Sequence, residues 1–237
     1  VNTGKAYTGT HDSPDLNRNL YHTLNVDFVR MYQLCCNKIT HWIASGQFAG
    51  KVIFENFING YFYLYNHLAD LPKDALYIVA DKYPEMLQMY KEMISTLGLD
   101  LDILYIADCD PDYPLRPGCV DLVIDFFSSS EHDFYFPQPY YEAFGALLAP
   151  DAQVIGTVMT LPAGAKSRPR YHQKYPEGTP HLMDFSHLEG ALSALGYAIK
   201  TEEVGAVLKT QDKFSFVCHL SGEKMSFIWY TASRAPK

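Results

Sequence analysis

The chain has 237 residues and carries 27 acidic against 19 basic side chains, a formal net charge of −8. Hydrophobic residues at 48% and charged residues at 19% exclude an intrinsically disordered chain and supply enough apolar material for one large domain. The acidic balance argues against general nucleic-acid binding, which needs a basic surface, and no uninterrupted apolar run reaches the roughly 18 residues of a membrane span.

The five cysteines, Cys35, Cys36, Cys109, Cys119 and Cys218, have no CxxC spacing and are odd in number. They read as reduced thiols in a cytoplasmic protein, not as a disulfide framework. The nine histidines form no HExxH or other short ligand spacing, so no metal site is expected. The sequence opens on Val1 with no evident secretory signal, which fits a piece of a longer protein.

Residues 1–14 are rich in Gly, Thr, Asp and Pro and read as a flexible lead-in. Residues 15–49 read as a helical cap, because Leu20, Leu24, Phe28, Met31 and Cys35 recur at three- and four-residue steps. Residues 50–237 then alternate strand with helix. Strands are expected at Val52–Phe54, Ala75–Ala80, Leu101–Ala107, Val120–Ile124 and Gln153–Met159. Helices are expected at Gly60–Ala69, Pro84–Leu97, Gln138–Leu148 and Phe185–Leu195, with Gly98 and Gly196 as stops. The tail reads as strands near Tyr197–Lys209, Phe214–Leu220 and Met225–Thr231, the last two joined as a hairpin by Ser221-Gly222-Glu223-Lys224. The alternation predicts an α/β fold, a doubly wound and mostly parallel sheet closed by an antiparallel strand.

Three segments carry chemical information. VIFENFINGYF (residues 52–62) reads strand, turn, helix; IVADKYPEML (78–87) puts Asp81 at a strand end; YIADCDPDYPLRPGCVDLVID (105–125) puts Asp108 and Cys109 after one strand and Asp125 at the end of the next. Acids at the carboxyl ends of parallel strands suit a nucleoside site, where a carboxylate accepts hydrogen bonds from ribose hydroxyls. Each has a plainer reading: Asp81 as a helix cap, Asp108 in a solvated loop with Asp110 and Asp112, and Glu55 as a helix-start acid.

On these residues the chain resembles the class I S-adenosylmethionine-dependent methyltransferases, over about residues 50–237. ADKYPEMLQMYKEM resembles the family's ribose-binding acid and following helix, YPLRPGCVDLVIDFF its fourth strand, and MDFSHLEGALSALGYAIKTEEVG its late helix and sixth strand. The resemblance implies a seven-stranded sheet with the last strand antiparallel. It also implies S-adenosylmethionine or S-adenosylhomocysteine as cofactor, with Glu55, Asn56, Gly60, Asp81, Asp108, Cys109 and Asp125 as the binding set.

One segment departs from the family. Its first turn usually reads acid-x-Gly-x-Gly-x-Gly; anchored on Gly60, this chain has Asn56 and Ile58 at the first two glycine positions and Glu55 one place from the acid. Ile58 is β-branched where the family has a residue free to adopt positive φ, so weakened cofactor binding is expected. After the fourth strand stands Asp125-Phe126-Phe127-Ser128 rather than Asn-Pro-Pro-Tyr, which weighs against amino-methylation of nucleic-acid bases.

Glu131 and His132 are the candidate catalytic pair, a general base or else surface residues at a helix start. Lys166, Arg168, Arg170, His172 and Lys174 form a basic loop, either a lid for an anionic ligand or a solvated loop. The leading expectation is a ligand-binding or sensor domain of a longer, transcription-regulatory protein, adjoining another domain or forming a homodimer and binding a small molecule but neither DNA nor membrane. The alternative is an active methyltransferase on a small molecule.

Overall fold

The structure is a computed structural model that describes residues 36–56, 63–81, 84–107, 113–126, 145–160, 185–203, 215–217 and 224–234. Among the described residues eight strands make one sheet: β1 (Val52–Asn56), β2 (Leu76–Ala80), β3 (Asp102–Ile106), β4 (Val120–Phe126), β5 (Leu148–Thr160), β6 (Tyr197–Glu203), β7 (Ser215–Val217) and β8 (Lys224–Arg234). The described helices are α1 (residues 36–44), α2 (Pro84–Thr96) and α3 (Phe185–Ala194), with a 3₁₀ segment at Tyr63–Asp70 and a short helical stretch at 145–147.

The strands run β3-β2-β1-β4-β5-β8-β6, and the three-residue β7 pairs with β8 off this path. β1 is parallel to β2 and β4, β2 to β3, and β4 to β5. β8 enters antiparallel between β5 and β6. The seven strands on the path are the expected mostly parallel sheet with its one antiparallel strand, and β7 with β8 is the expected hairpin. Reversal of the chain between parallel β4 and β1 puts the carboxyl ends of β2, β1 and β4 side by side, the place where open α/β sheets bind ligands.

Residues paired across a ladder share a face, so the register divides the core in two. One face holds Phe54, Ile78, Val123, Val154, Tyr230 and Ala232, and Leu192 of α3 belongs to the same apolar cluster. The opposite face holds Ile53, Tyr77, Val79, Leu122, Ile124, Ile155 and Trp229. There α2 packs its buried stripe, Met86, Leu87, Tyr90 and Ile94, with the Tyr90 ring edge-on to Tyr105 of β3 at 6.3 Å. Pro84 opens α2 at a position whose N–H has no helical partner, and Gly98 ends it at φ 63°. Burial on both faces explains why β2 reads as the continuous apolar run LYIVA. β3 is an edge strand, and its Leu104 is exposed.

Two local expectations are corrected. The helix expected through Leu148 stops at residue 147, and Leu148 already pairs with Val120 of β4. The register then slips before Leu122 meets Gln153, across Pro150, which has no N–H to give the ladder. The segment expected as a helix to Ala69 is 3₁₀ over its described part.

One row of residues ties the parallel half of the sheet to the antiparallel strand. Asp125 of β4 pairs with Gly156 of β5, and Gly156 pairs with Tyr230 of β8. The Tyr230 hydroxyl donates to the Asp125 carboxylate, both residues being buried. Its ring reaches across Gly156 to do so. A Cβ at residue 156 would lie 2.6 Å from Tyr230 Cε1 and would also strike the Asp125 carbonyl oxygen. Only glycine fits there. Tyr230→Phe withdraws the donor from a buried carboxylate and should cost about 1–3 kcal/mol. Gly156→Ala should cost a similar ~1–3 kcal/mol through overpacking. Equilibrium urea denaturation of each variant against wild type checks both.

Candidate functional site

Glu55, Asp81 and Asp125 stand at the carboxyl ends of three neighbouring strands, and each is only 1% exposed. Glu55 is the penultimate residue of β1 and pairs with Val79 and Ile124. Asp81 follows β2 directly, and its backbone N–H donates to the Ile106 carbonyl at 3.1 Å, so the β2–β3 ladder continues through it. Strand alternation from Val79 puts Asp81 on the same face as Glu55. Asp125 lies on the opposite face with Tyr230. The sheet therefore brings Glu55 and Asp81 together on one side of its carboxyl edge and turns Asp125 to the other.

The strand ends are held in step from below. Val52 N–H, at the start of β1, donates to Asp121 Oδ2 of β4 at 2.9 Å, and Leu76 N–H donates to the Lys51 carbonyl at 3.0 Å. Tyr77, on the Glu55 face, donates its hydroxyl to the Pro72 carbonyl at 3.2 Å, and burial together with Asp74 pushes its ionisation well above the ordinary tyrosine range. Burial also raises Tyr105 on that face.

Helix α1 packs on the same face as Glu55. Trp42 of α1 packs against Trp229 of β8, ring centroids 5.8 Å apart at 45°, and Lys38 Nζ sits 5.8 Å from the centre of the same indole. Trp229 pairs with Thr157, which in turn pairs with Phe126, the last residue of β4. α1 thus lies against the sheet face at the level of the carboxyl ends. Thr157 is fully buried there, and its hydroxyl has no hydrogen-bond partner among the described residues.

Of the remaining sequence candidates, Asn56 closes β1, while Gly60, Asp108, Cys109, Glu131 and His132 lie outside the described residues. So do Ile58, the basic loop 166–174 and residues 1–35. Among the described residues no three His, Cys, Asp or Glu side chains gather as a metal-binding group, and no helix is long and apolar enough to cross a membrane. Trp229, Tyr230 and Thr157 were missed by sequence reasoning. Gly156, a lone glycine within a strand, is the signal that another group passes close by.

The strand order, with an antiparallel strand set between the fifth and sixth parallel positions and acids at three strand ends, decides the fold. It is the class I S-adenosylmethionine-dependent methyltransferase fold. An S-adenosylmethionine-dependent methyltransferase from Aquifex aeolicus superposes with a TM-score of 0.58 at 14% identity, over 92% of this chain and 98% of that one. The cyclase SpnF superposes with a TM-score of 0.60 at 13% identity, over 84% and 81% of the two chains. Geranyl diphosphate C-methyltransferase from Streptomyces coelicolor, solved with S-adenosylhomocysteine, gives 0.58 at 8% identity over 79% and 71%. No family model matches the chain, and no curated protein sequence matches it. The methyltransferase-type likeness is therefore one of fold, carried by topology and core spacing.

In this fold α1 packs on β8 through the Trp42–Trp229 ring pair. Trp42→Ala removes a buried ring from Trp229 and should lower stability by about 3 kcal/mol. With Trp229 then the sole indole, its emission should shift to the red, as read by intrinsic fluorescence.

Proposed function

We propose that this chain is a ligand-binding domain on the class I methyltransferase fold, with a site for a nucleoside of the S-adenosylmethionine type at the carboxyl ends of β2, β1 and β4. The observation that carries the reading is the burial of Glu55 and Asp81 on one face at the ends of adjacent strands. A carboxylate at the second strand end accepts from ribose hydroxyls, and a second carboxylate one strand away draws a cationic group such as a ligand ammonium or sulfonium. These residues fit S-adenosylmethionine or S-adenosylhomocysteine: Asp81 would hold the ribose and Glu55 would face the methionine portion. The sequence of the first turn, with Asn56 and Ile58 at glycine positions, supports weak binding and so a sensor role within a longer regulatory protein.

A second reading is a methyltransferase acting on a small molecule, favoured by neighbours in that class such as the geranyl diphosphate enzyme. Bound S-adenosylmethionine supplies an electrophilic methyl group, and this chain would orient the acceptor and exclude water. Glu131 or His132 would take the acceptor's proton. The presence of a cyclase among the neighbours fits a fold that serves more than one chemistry.

Calorimetric titration of S-adenosylhomocysteine into the protein tests the proposal. The expected outcome is binding weaker than micromolar that tightens in the Asn56→Gly, Ile58→Gly double variant and weakens about tenfold in Asp81→Asn, equivalent to about 1.4 kcal/mol. Micromolar binding by wild type, lost on introducing the glycines, would favour the enzyme instead. No binding by any of these proteins would overturn the nucleoside site.

A further inference from the structure

His67, in the 3₁₀ segment after β1, is buried at 8% exposure and faces α1. Thr40 of α1 donates its hydroxyl to the Cys36 carbonyl at 3.0 Å, which leaves the oxygen to accept from His67 at Nδ1, 3.1 Å away. The Cys36 carbonyl hydrogen-bonds the ring as well. This imidazole is a polar contact between α1 and the segment beneath it, and the Trp42–Trp229 pair is an apolar contact between α1 and the sheet.

We propose that the His67–Thr40 contact is a pH-sensitive latch, and that protonation of His67 releases α1 from the sheet face at the carboxyl edge. A charge on a ring this buried loses its hydration unless the helix moves away. Burial disfavours the protonated ring and outweighs the two groups that favour it, the Asp70 charge on the same segment and the Cys36 carbonyl of α1. From α1 the titratable groups are Cys36, Lys38 and His41, of which Lys38 is engaged over Trp229 and His41 is exposed.

The direction with pH follows from burial. Above about pH 6.5 the ring is neutral in both the docked and the released helix, and docking has its full strength. Below that value the released ring takes a proton first, because burial holds the docked ring lower, so docking weakens as the pH falls. The helix docks on β8 at the level where β4 ends, so its release uncovers the Trp229 part of the sheet face that also carries Glu55 and Asp81 further along the strand order.

The chain holds two tryptophans, and they are the two rings of this contact, so intrinsic emission reports the latch directly. Emission of the full chain is followed from pH 8 to pH 5, with far-UV circular dichroism alongside. The expected result is a red shift with a midpoint below about pH 6.5 and an unchanged dichroism spectrum. His67→Gln keeps an N–H donor and cannot titrate, so its emission should stay flat. His41→Gln should retain the transition, separating release from quenching by the neighbour of Trp42. Thr40→Val, at an exposed position, loses the acceptor and should move the midpoint up by roughly half a pH unit, about a threefold change in docking. A pH-independent wild-type emission, or a transition that persists in His67→Gln, would overturn the latch. If His67→Gln does not fold, an unmoved midpoint in Thr40→Val overturns it. No cofactor enters this measurement, so its failure is distinct from failure of the nucleoside site.

Discussion

A carboxylate buried inside a sheet is the constraint on which this fold depends. Asp125 is almost wholly excluded from water, and Tyr230 from the antiparallel strand brings it a hydroxyl donor. A buried carboxyl group is costly without hydrogen bonds, so the β4–β5–β8 register is held where Tyr230 can reach it. A slip of one residue would turn Tyr230 to the other face and place a side chain where Gly156 makes room for its ring. The polar pair therefore fixes how β8 enters, while apolar burial supplies most of the driving force around it.

That register positions the rest of the carboxyl edge. With β4 fixed against β5 and β8, the Asp121 bond to Val52 sets β1 beside β4, and the ladder carries the alignment on to β2. Glu55 and Asp81 then stand on neighbouring strand ends, on the face turned away from Asp125. That same face takes the indole of Trp229, next in sequence to Tyr230, and on it α1 rests through Trp42. Two consecutive residues of β8 thus serve the two faces of the sheet, one holding a carboxylate and the other a helix.

The sheet was largely legible in the sequence because its strands are short apolar runs between turn residues, and LYIVA and VDLVID each sit within a residue or two of their observed strands. The start of α2 at Pro84 and the glycine stops at residues 98 and 196 were equally local signals. The position of Asp81, directly after a buried apolar strand, was legible for the same reason. What could not be read is what depends on distant pairing. Tyr230 is 105 residues from Asp125, and nothing local marks either as the other's partner. The early start of β5 escaped notice because residues 143–148 (AFGALL) have helical composition, and Leu148 is claimed by Val120 across the sheet. His67 gives no periodic signal, since its importance comes from α1 folding over it.

The position of β8 also governs the order in which the molecule can assemble. The chain lays down β1 to β5 in sequence, but β6 has no place beside β5 until β8 has been made and inserted between them. On a ribosome, the nascent sheet would therefore stop at β5 with an open edge and with the Asp125 carboxylate lacking its hydroxyl donor. Unpaired edges of this kind invite association with other chains. β8 is thus the strand that covers the edge of β5 and gives β6 its place, through pairings far apart in sequence of the kind that form late.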